Sequence, residues 1–131
     1  MKYLMDTSVL IHSLISRPKL NHRALELLAD NTAELYLSAV SSWEITIKVG
    51  TGKLVLPEKS AEFVSRAMRL MSLKPLDITH PHALAVEALP NHHPDPFDRL
   101  LIAQALAEKL TLLTADRVFQ QYKVDLILCG E

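Results

Sequence analysis

Lys2-Tyr3-Leu4-Met5-Asp6-Thr7-Ser8 is a short apolar run that closes on an acid and two hydroxyls. It reads as a first strand. Leu112-Leu113-Thr114-Ala115-Asp116 repeats the pattern late in the chain, again ending in an aspartate. Outward from these two runs, strands and helices alternate. Pro18 to about Asp30 has helical spacing, with Leu20, Ala24, Leu27 and Leu28 on one face. Leu35–Leu37 is a second strand, and Ser38 to about Val49 a helix stopped near Gly50 and Gly52. Glu58–Met71 is helical. Leu73–Ile78 is a strand that Pro75 confines to a sheet edge. His82–Leu89 is helical, Pro90–Pro96 a loop, and Phe97–Lys109 a strong helix. Leu110–Leu113 and Val124–Leu128 are the last strands, with a short helix after Asp116. No element is assigned between Ser8 and Pro18, although Asp6 suits the cap of a helix there. Strands separated by helices predict an α/β fold with a mostly parallel sheet, in one domain over residues 1–131.

Composition narrows the function. The chain has 131 residues, 49% hydrophobic and 22% charged, which excludes a disordered chain. One cysteine, Cys129, allows neither a disulfide framework nor a Cys-based zinc site, and reads as an inert buried thiol. Three glycines cannot write a G-x-G-x-x-G or Walker A loop, so classical nucleotide binding is not expected. No G-x-S-x-G is present for serine hydrolysis. Fourteen Lys and Arg against fifteen Asp and Glu give a net charge of −1, so no global basic field advertises nucleic acid. No apolar run reaches the ~20 residues of a membrane span. Asp6 and His12 interrupt a signal-like N-terminus, and a cytoplasmic protein is expected.

In parallel α/β sheets, ligands gather at the carboxyl ends of the strands. Asp6 and Asp116 both fall there. Glu44 and Asp98 sit near helix starts, which share that edge. Glu44 lies beside Val40 and Ile47 around its helix and so points toward the sheet. Asp98 shares a face with Leu101, Ile102 and Ala105. Each acid also has an ordinary explanation. Asp6 and Asp116 suit helix caps. Ser41-Ser42-Trp43-Glu44 fits a capping box, and Glu44 could pair with Lys48. Asp95-Pro96-Phe97-Asp98 reads as N-cap, proline at N1 and acid at N3.

Convergence of four acids is costly. Two carboxylates ~4 Å apart repel by about 4 kcal/mol at an effective dielectric of ~20. Hard divalent cations with oxygen ligands, Mg²⁺ or Mn²⁺, are the natural neutralisers, and such sites do phosphoryl chemistry. His80-Pro81-His82 and His92-His93 match no zinc spacing and read as loop or helix-start residues. Arg17, Lys19 and Arg23, with Lys48 and Lys53, cluster weakly. Arg99 is expected to neutralise Asp95, with contact to the scissile phosphate as the alternative. The helix Phe97–Lys109 is apolar nearly all round, so another helix or another subunit should cover its outer side; a dimer or obligate partner is expected.

These segments together resemble the PIN-domain nucleases, and in particular the VapC-like toxins of toxin–antitoxin pairs. The resemblance is carried by Tyr3-Leu4-Met5-Asp6-Thr7-Ser8, by Ser41-Ser42-Trp43-Glu44-Ile45, by the long run Pro90 to Ala105 through Asp98, and by Leu113-Thr114-Ala115-Asp116. The resemblance implies an α/β/α sandwich with a parallel sheet of order 3-2-1-4-5. It also implies that Asp6, Glu44, Asp98 and Asp116 form the catalytic metal site. Asp95 would be an outer acid, and Ser8 and Thr114 would orient ligands or water.

The expected activity is Mg²⁺- or Mn²⁺-dependent endoribonucleolytic hydrolysis. RNA as substrate and a small antitoxin as inhibitory partner come from the resemblance alone. Three readings compete. A receiver-like phospho-acceptor module would need an acid beside Asp6, where Thr7 stands. The second is a PIN-like interaction module without activity. A nuclease with the same metal site acting on single-stranded DNA is the third.

Overall fold

The computed structural model describes all 131 residues. Five strands form one parallel sheet: β1 (Lys2–Met5), β2 (Glu34–Ser38), β3 (Lys74–Leu76), β4 (Thr111–Thr114) and β5 (Leu126–Leu128). Their order is β3-β2-β1-β4-β5, as the resemblance implied. Six helices flank the sheet: α1 (Thr7–Ile15), α2 (His22–Ala29), α3 (Ala39–Gly50), α4 (Ser60–Leu70), α5 (His80–Ala85) and α6 (Pro96–Glu108). Short 3₁₀ turns at Arg17–Lys19, Val86–Ala88 and Arg117–Gln121 complete the chain.

The two-residue period of the strands builds three layers. Tyr3, Met5, Leu35, Leu37 and Leu113 face one cluster, which also holds Val9, Leu10, Ala24, Ile45 and Ala67 from α1 to α4. Leu4 and Leu112 face the opposite cluster, with Leu101, Ile102 and Ala105 of α6. β1 is central, so Leu4 and Met5 are fully buried on opposite faces. Each such side chain contributes about 1.5–3 kcal/mol of burial. β3 is one of the two edge strands, and Pro75 sits in it opposite Leu37, a place where a residue without an N–H is tolerated.

Two sequence readings are refined. The segment left unassigned after Ser8 is α1, whose Val9 and Leu10 go straight into the core. The helical span expected from Pro18 breaks into a 3₁₀ turn and α2, because Asn21 caps α2 by accepting from the amide of Ala24 at 2.9 Å. The outer side of α6 is covered by α5 and α3 of the same chain; Ala103 and Gln104 are buried, while Leu106 remains half exposed. No helix is long and apolar enough to cross a membrane.

Candidate functional site

β1 and β4 are neighbours, and the amide of Asp6 extends their ladder by donating to the Leu113 carbonyl at 2.8 Å. Asp6 stands at the start of α1, yet its side chain makes no capping hydrogen bond. Its Oδ2 instead accepts from Ser8 Oγ at 2.9 Å and from Thr114 Oγ1 at 2.8 Å. The ordinary capping explanation of Asp6 therefore fails. Burial, with a smaller push from nearby Glu44, raises the Asp6 pKa to about 6, against the opposing pull of the two hydroxyls.

Asp116 behaves differently. Its Oδ1 accepts from the amide of Val118 at 3.0 Å, so it does cap the turn that follows. Its own amide donates to Thr114 Oγ1 at 3.1 Å. One threonine hydroxyl thus spans the two strand-end aspartates. The Asp116 side chain is 47% exposed, and the residue lines the cavity shared by the other acids.

Glu44 projects from α3 and is 3% exposed. Thr7 Oγ1 donates to its Oε1 at 2.7 Å and lies 2.9 Å from Ser41 Oγ. The capping box expected at Ser41–Glu44 is not formed. β2 runs directly into α3, and Ser38 takes the cap by accepting from the amide of Val40 at 3.0 Å. That leaves Ser41 and Glu44 inside the helix, facing the sheet. The expected pair with Lys48 is present through Glu44 Oε2. Burial works against the charge on Lys48, but Glu44, Asp95 and Asp98 outweigh it and hold its pKa above the ordinary lysine value.

Asp98 lies in the first turn of α6. Asp95 caps that helix by accepting from the amides of Phe97 at 2.8 Å and Asp98 at 3.1 Å, with Pro96 at N1. Burial first, then the charges of Asp6 and Asp95, push the Asp98 pKa to about 7. Glu44 adds a further, smaller push in the same direction, while the contact with His93 opposes it.

His93 is the residue that sequence reasoning missed. Its Nε2 lies 2.7 Å from Asp98 Oδ2 and 3.7 Å from Asp116 Oδ2. One ligand atom from each of His93, Asp98 and Asp116 falls within 4.8 Å of the others. The available signal was position alone: His93 closes a proline-rich loop just ahead of Asp95. That loop folds back over the start of α6, and the ring stands edge-on to Phe119 at 6.0 Å.

Arg99 also departs from expectation. It pairs with no carboxylate. Its guanidinium donates to the carbonyls of Pro90 at 2.8 Å, Val86 at 3.2 Å and Leu89 at 3.3 Å, and to Tyr122 Oη at 3.2 Å. It is a clamp on the loop that carries His93. His82 is structural: its Nδ1 accepts from the amide of Thr79 at 3.1 Å in a capping box, and its Nε2 meets Glu108 at 2.8 Å. Cys129 is fully buried, and burial pushes its thiol up to about 11.

Asp6, Glu44, Asp95, Asp98 and Asp116 all line one cavity of 570 Å³, with Ser8, His93 and three lysines. Asp6 and Glu44 face it from outside the tight triad. Such an arrangement can hold a cation at one end and bind an anionic group beside it.

Comparison with known proteins places the chain. The PIN domain family model matches residues 3–125. Ribonuclease VapC16 of Mycobacterium tuberculosis is 41% identical over 56 residues, which are 43% of this chain and 40% of that protein. The matched stretch thus spans less than half of that relative. Among solved structures, VapBC2 from Rickettsia felis, bound to a DNA fragment from its promoter, superposes with a TM-score of 0.71 at 22% identity, covering 99% of this chain and 100% of that one. FitAcB from Neisseria gonorrhoeae gives 0.65 at 24% identity, covering 97% and 96%. VapBC-5 from Mycobacterium tuberculosis gives 0.63 at 18%, covering 97% and 98%. These likenesses are of fold.

Proposed function

We propose that this chain, which belongs to the PIN-domain family, is a divalent-cation-dependent endoribonuclease and the toxin of a toxin–antitoxin pair. The observation that carries the reading is the meeting of Asp6, Glu44, Asp98 and Asp116 on one cavity, two of them with strongly raised pKa values. Carboxylates held that way are short of positive charge, and the donor set of oxygens suits Mg²⁺ or Mn²⁺.

Asp6, Asp98 and Asp116 would hold the cation, and Glu44 would help hold it or orient the attacking water. A divalent cation held there would supply Lewis-acid chemistry to phosphodiester hydrolysis. The chain's own contribution is placement. Ser8 and Thr114 fix the Asp6 carboxylate by their hydroxyl hydrogen bonds. Thr7 and Lys48 fix Glu44 from its two oxygens. Asp95 sets the first turn of α6 and with it Asp98.

RNA as substrate is supported by the similarity to a relative named as a ribonuclease. An antitoxin partner is supported by structural neighbours named as a toxin–antitoxin complex and as a member of the VapBC family of toxin–antitoxin systems. A homodimer is supported by Leu84 and Leu106, which are 73% and 46% exposed on α5 and α6. A cytoplasmic location follows from the same toxin reading. Incubation with total cellular RNA tests the activity. Cleavage is expected with Mg²⁺ or Mn²⁺, is abolished by chelator, and falls by about a hundredfold or more in Asp98→Asn. Undiminished metal-dependent cleavage by Asp98→Asn would overturn the assignment.

A further inference from the structure

The cavity that carries the acids does not end at them. One wall follows α1 from Asp6 past Ile11 and Ile15 to Ser16, and then reaches Lys19. The ten residues from Asp6 to Ser16 cover about 15 Å at a rise of ~1.5 Å per residue. The opposite wall is the turn after α3, which brings Lys53, Leu54 and Val55 to the same space. Local hydrogen bonds fix that turn. The amides of Lys53 and Leu54 both donate to the Lys48 carbonyl, at 2.9 and 3.1 Å, and Gly52 supplies the reversal with φ +76°.

Lys19 and Lys53 differ from the other cation of the cavity. Lys48 is paired with Glu44, and elsewhere Arg66 and Lys74 are paired as well. Neither Lys19 nor Lys53 makes an ion pair, although five carboxylates line the same cavity. The cavity therefore holds two unpaired ammonium groups beside its acids: Lys19 past the end of α1, and Lys53, which also lines an adjoining cavity with His93 and Asp95. Ile15 and Val55, 45% and 85% exposed, add apolar surface to the same cavity.

We infer that Lys19 and Lys53 bind backbone phosphates of a single-stranded polynucleotide beside the bond that is cut, with Ile15 and Val55 against its sugars or bases. The inference rests on the nuclease reading of the acids. A strand of that kind suits a cavity lined by both acids and unpaired lysines, because it presents one phosphate to a cation held by the acids and neighbouring phosphates to the ammonium groups. Grooves of this type track the backbone through charge and read no sequence.

The salt dependence of binding tests it. The intact protein and its Lys19→Gln, Lys53→Gln double variant are titrated with a labelled single-stranded RNA dodecamer and with DNA of the same sequence, in Ca²⁺. Each phosphate contact on a single strand adds about 0.7 to the slope of log affinity against log salt. The double variant should lose about 1.4 of that slope on both nucleic acids, since lysines read phosphate and not the 2′-hydroxyl. Its melting temperature should match the wild type, because both lysines are exposed. An unchanged slope, in a protein that still cleaves cellular RNA, overturns the phosphate subsite and leaves the nuclease. A wild type that neither binds nor cleaves RNA overturns both.

Discussion

Thr114 Oγ1 donates a hydrogen bond to Asp6 Oδ2 at 2.8 Å, across 108 positions of sequence. The same hydroxyl accepts from the amide of Asp116 at 3.1 Å. The orientation of the acid that ends β1 is thus set by the strand that ends in the other acid. Thr114→Val keeps the shape and removes both bonds. The loss should destabilise the fold by about 1–3 kcal/mol and raise the Asp6 pKa further. Affinity for Mn²⁺, read as thermal stabilisation, should weaken by about tenfold or more. A Thr114→Val protein with wild-type Mn²⁺ response would show that Asp6 needs no such support.

His93 meets Asp98 and Asp116 at the place where a cation is needed. Its contacts with both carboxylates make a directional prediction. In His93→Gln without metal, melting temperature should fall, because two carboxylates lose their partner. The gain on adding Mn²⁺ should then exceed that of the wild type, since no imidazole has to be displaced. A smaller gain than wild type would make His93 a ligand instead.

Stability without metal should depend on pH in a defined direction. Asp6 and Asp98 have pKa values near 6 and 7 in the fold, above those of an unfolded chain. From about pH 4 to 7 the native state holds protons that the unfolded chain has released. Stability therefore falls as pH rises through that window. In chelator, Asp98→Asn should flatten this fall and melt higher than wild type at pH 8. A wild type whose stability rises over the window would contradict the pKa assignments.

The buried amide of Gln104 makes a prediction away from the acids. Ser38 Oγ donates to its Oε1 at 2.5 Å, and its Nε2 donates to the Asp77 carbonyl at 3.2 Å. Nε2 also lies 3.3 Å from His82 Nδ1. Ser38 caps α3, which carries Glu44, and Gln104 belongs to α6, which carries Asp98. Gln104→Leu takes the acceptor from the buried Ser38 hydroxyl, which keeps only the Val40 amide, and the donor from the Asp77 carbonyl, and should cost about 1–3 kcal/mol in chemical denaturation. A loss under about 0.5 kcal/mol would mean that water replaces the amide.

Much of the architecture was legible because local and global signals agreed. Tyr3–Met5 and Leu112–Leu113 are buried on both faces and read as central strands. Pro75 marked the edge. The helix starts at Thr79 and Asp95 obeyed local capping chemistry. Where the reading failed, tertiary contacts decided. Ser41 looked like a cap only because nothing local shows that β2 runs straight into α3 from Ser38. Arg99 looked like a partner for Asp95 because its real acceptors are carbonyls of a loop that sequence cannot fold. His93 was passed over for the same reason: its partners come from α6 and from the end of β4. The four acids stood out only through their common position at strand and helix ends, and α1 was hinted at only by Asp6.

The central claim is that these acids form one divalent-cation site. Thermal unfolding of the wild type and Asp6→Asn in increasing Mn²⁺ tests it most directly. Binding to the native state alone adds about 2.7 kcal/mol at a hundredfold excess over Kd. The account predicts that the wild type gains several degrees, while Asp6→Asn starts higher in chelator and gains little. Equal gains in the two proteins, or no gain in either, would contradict it.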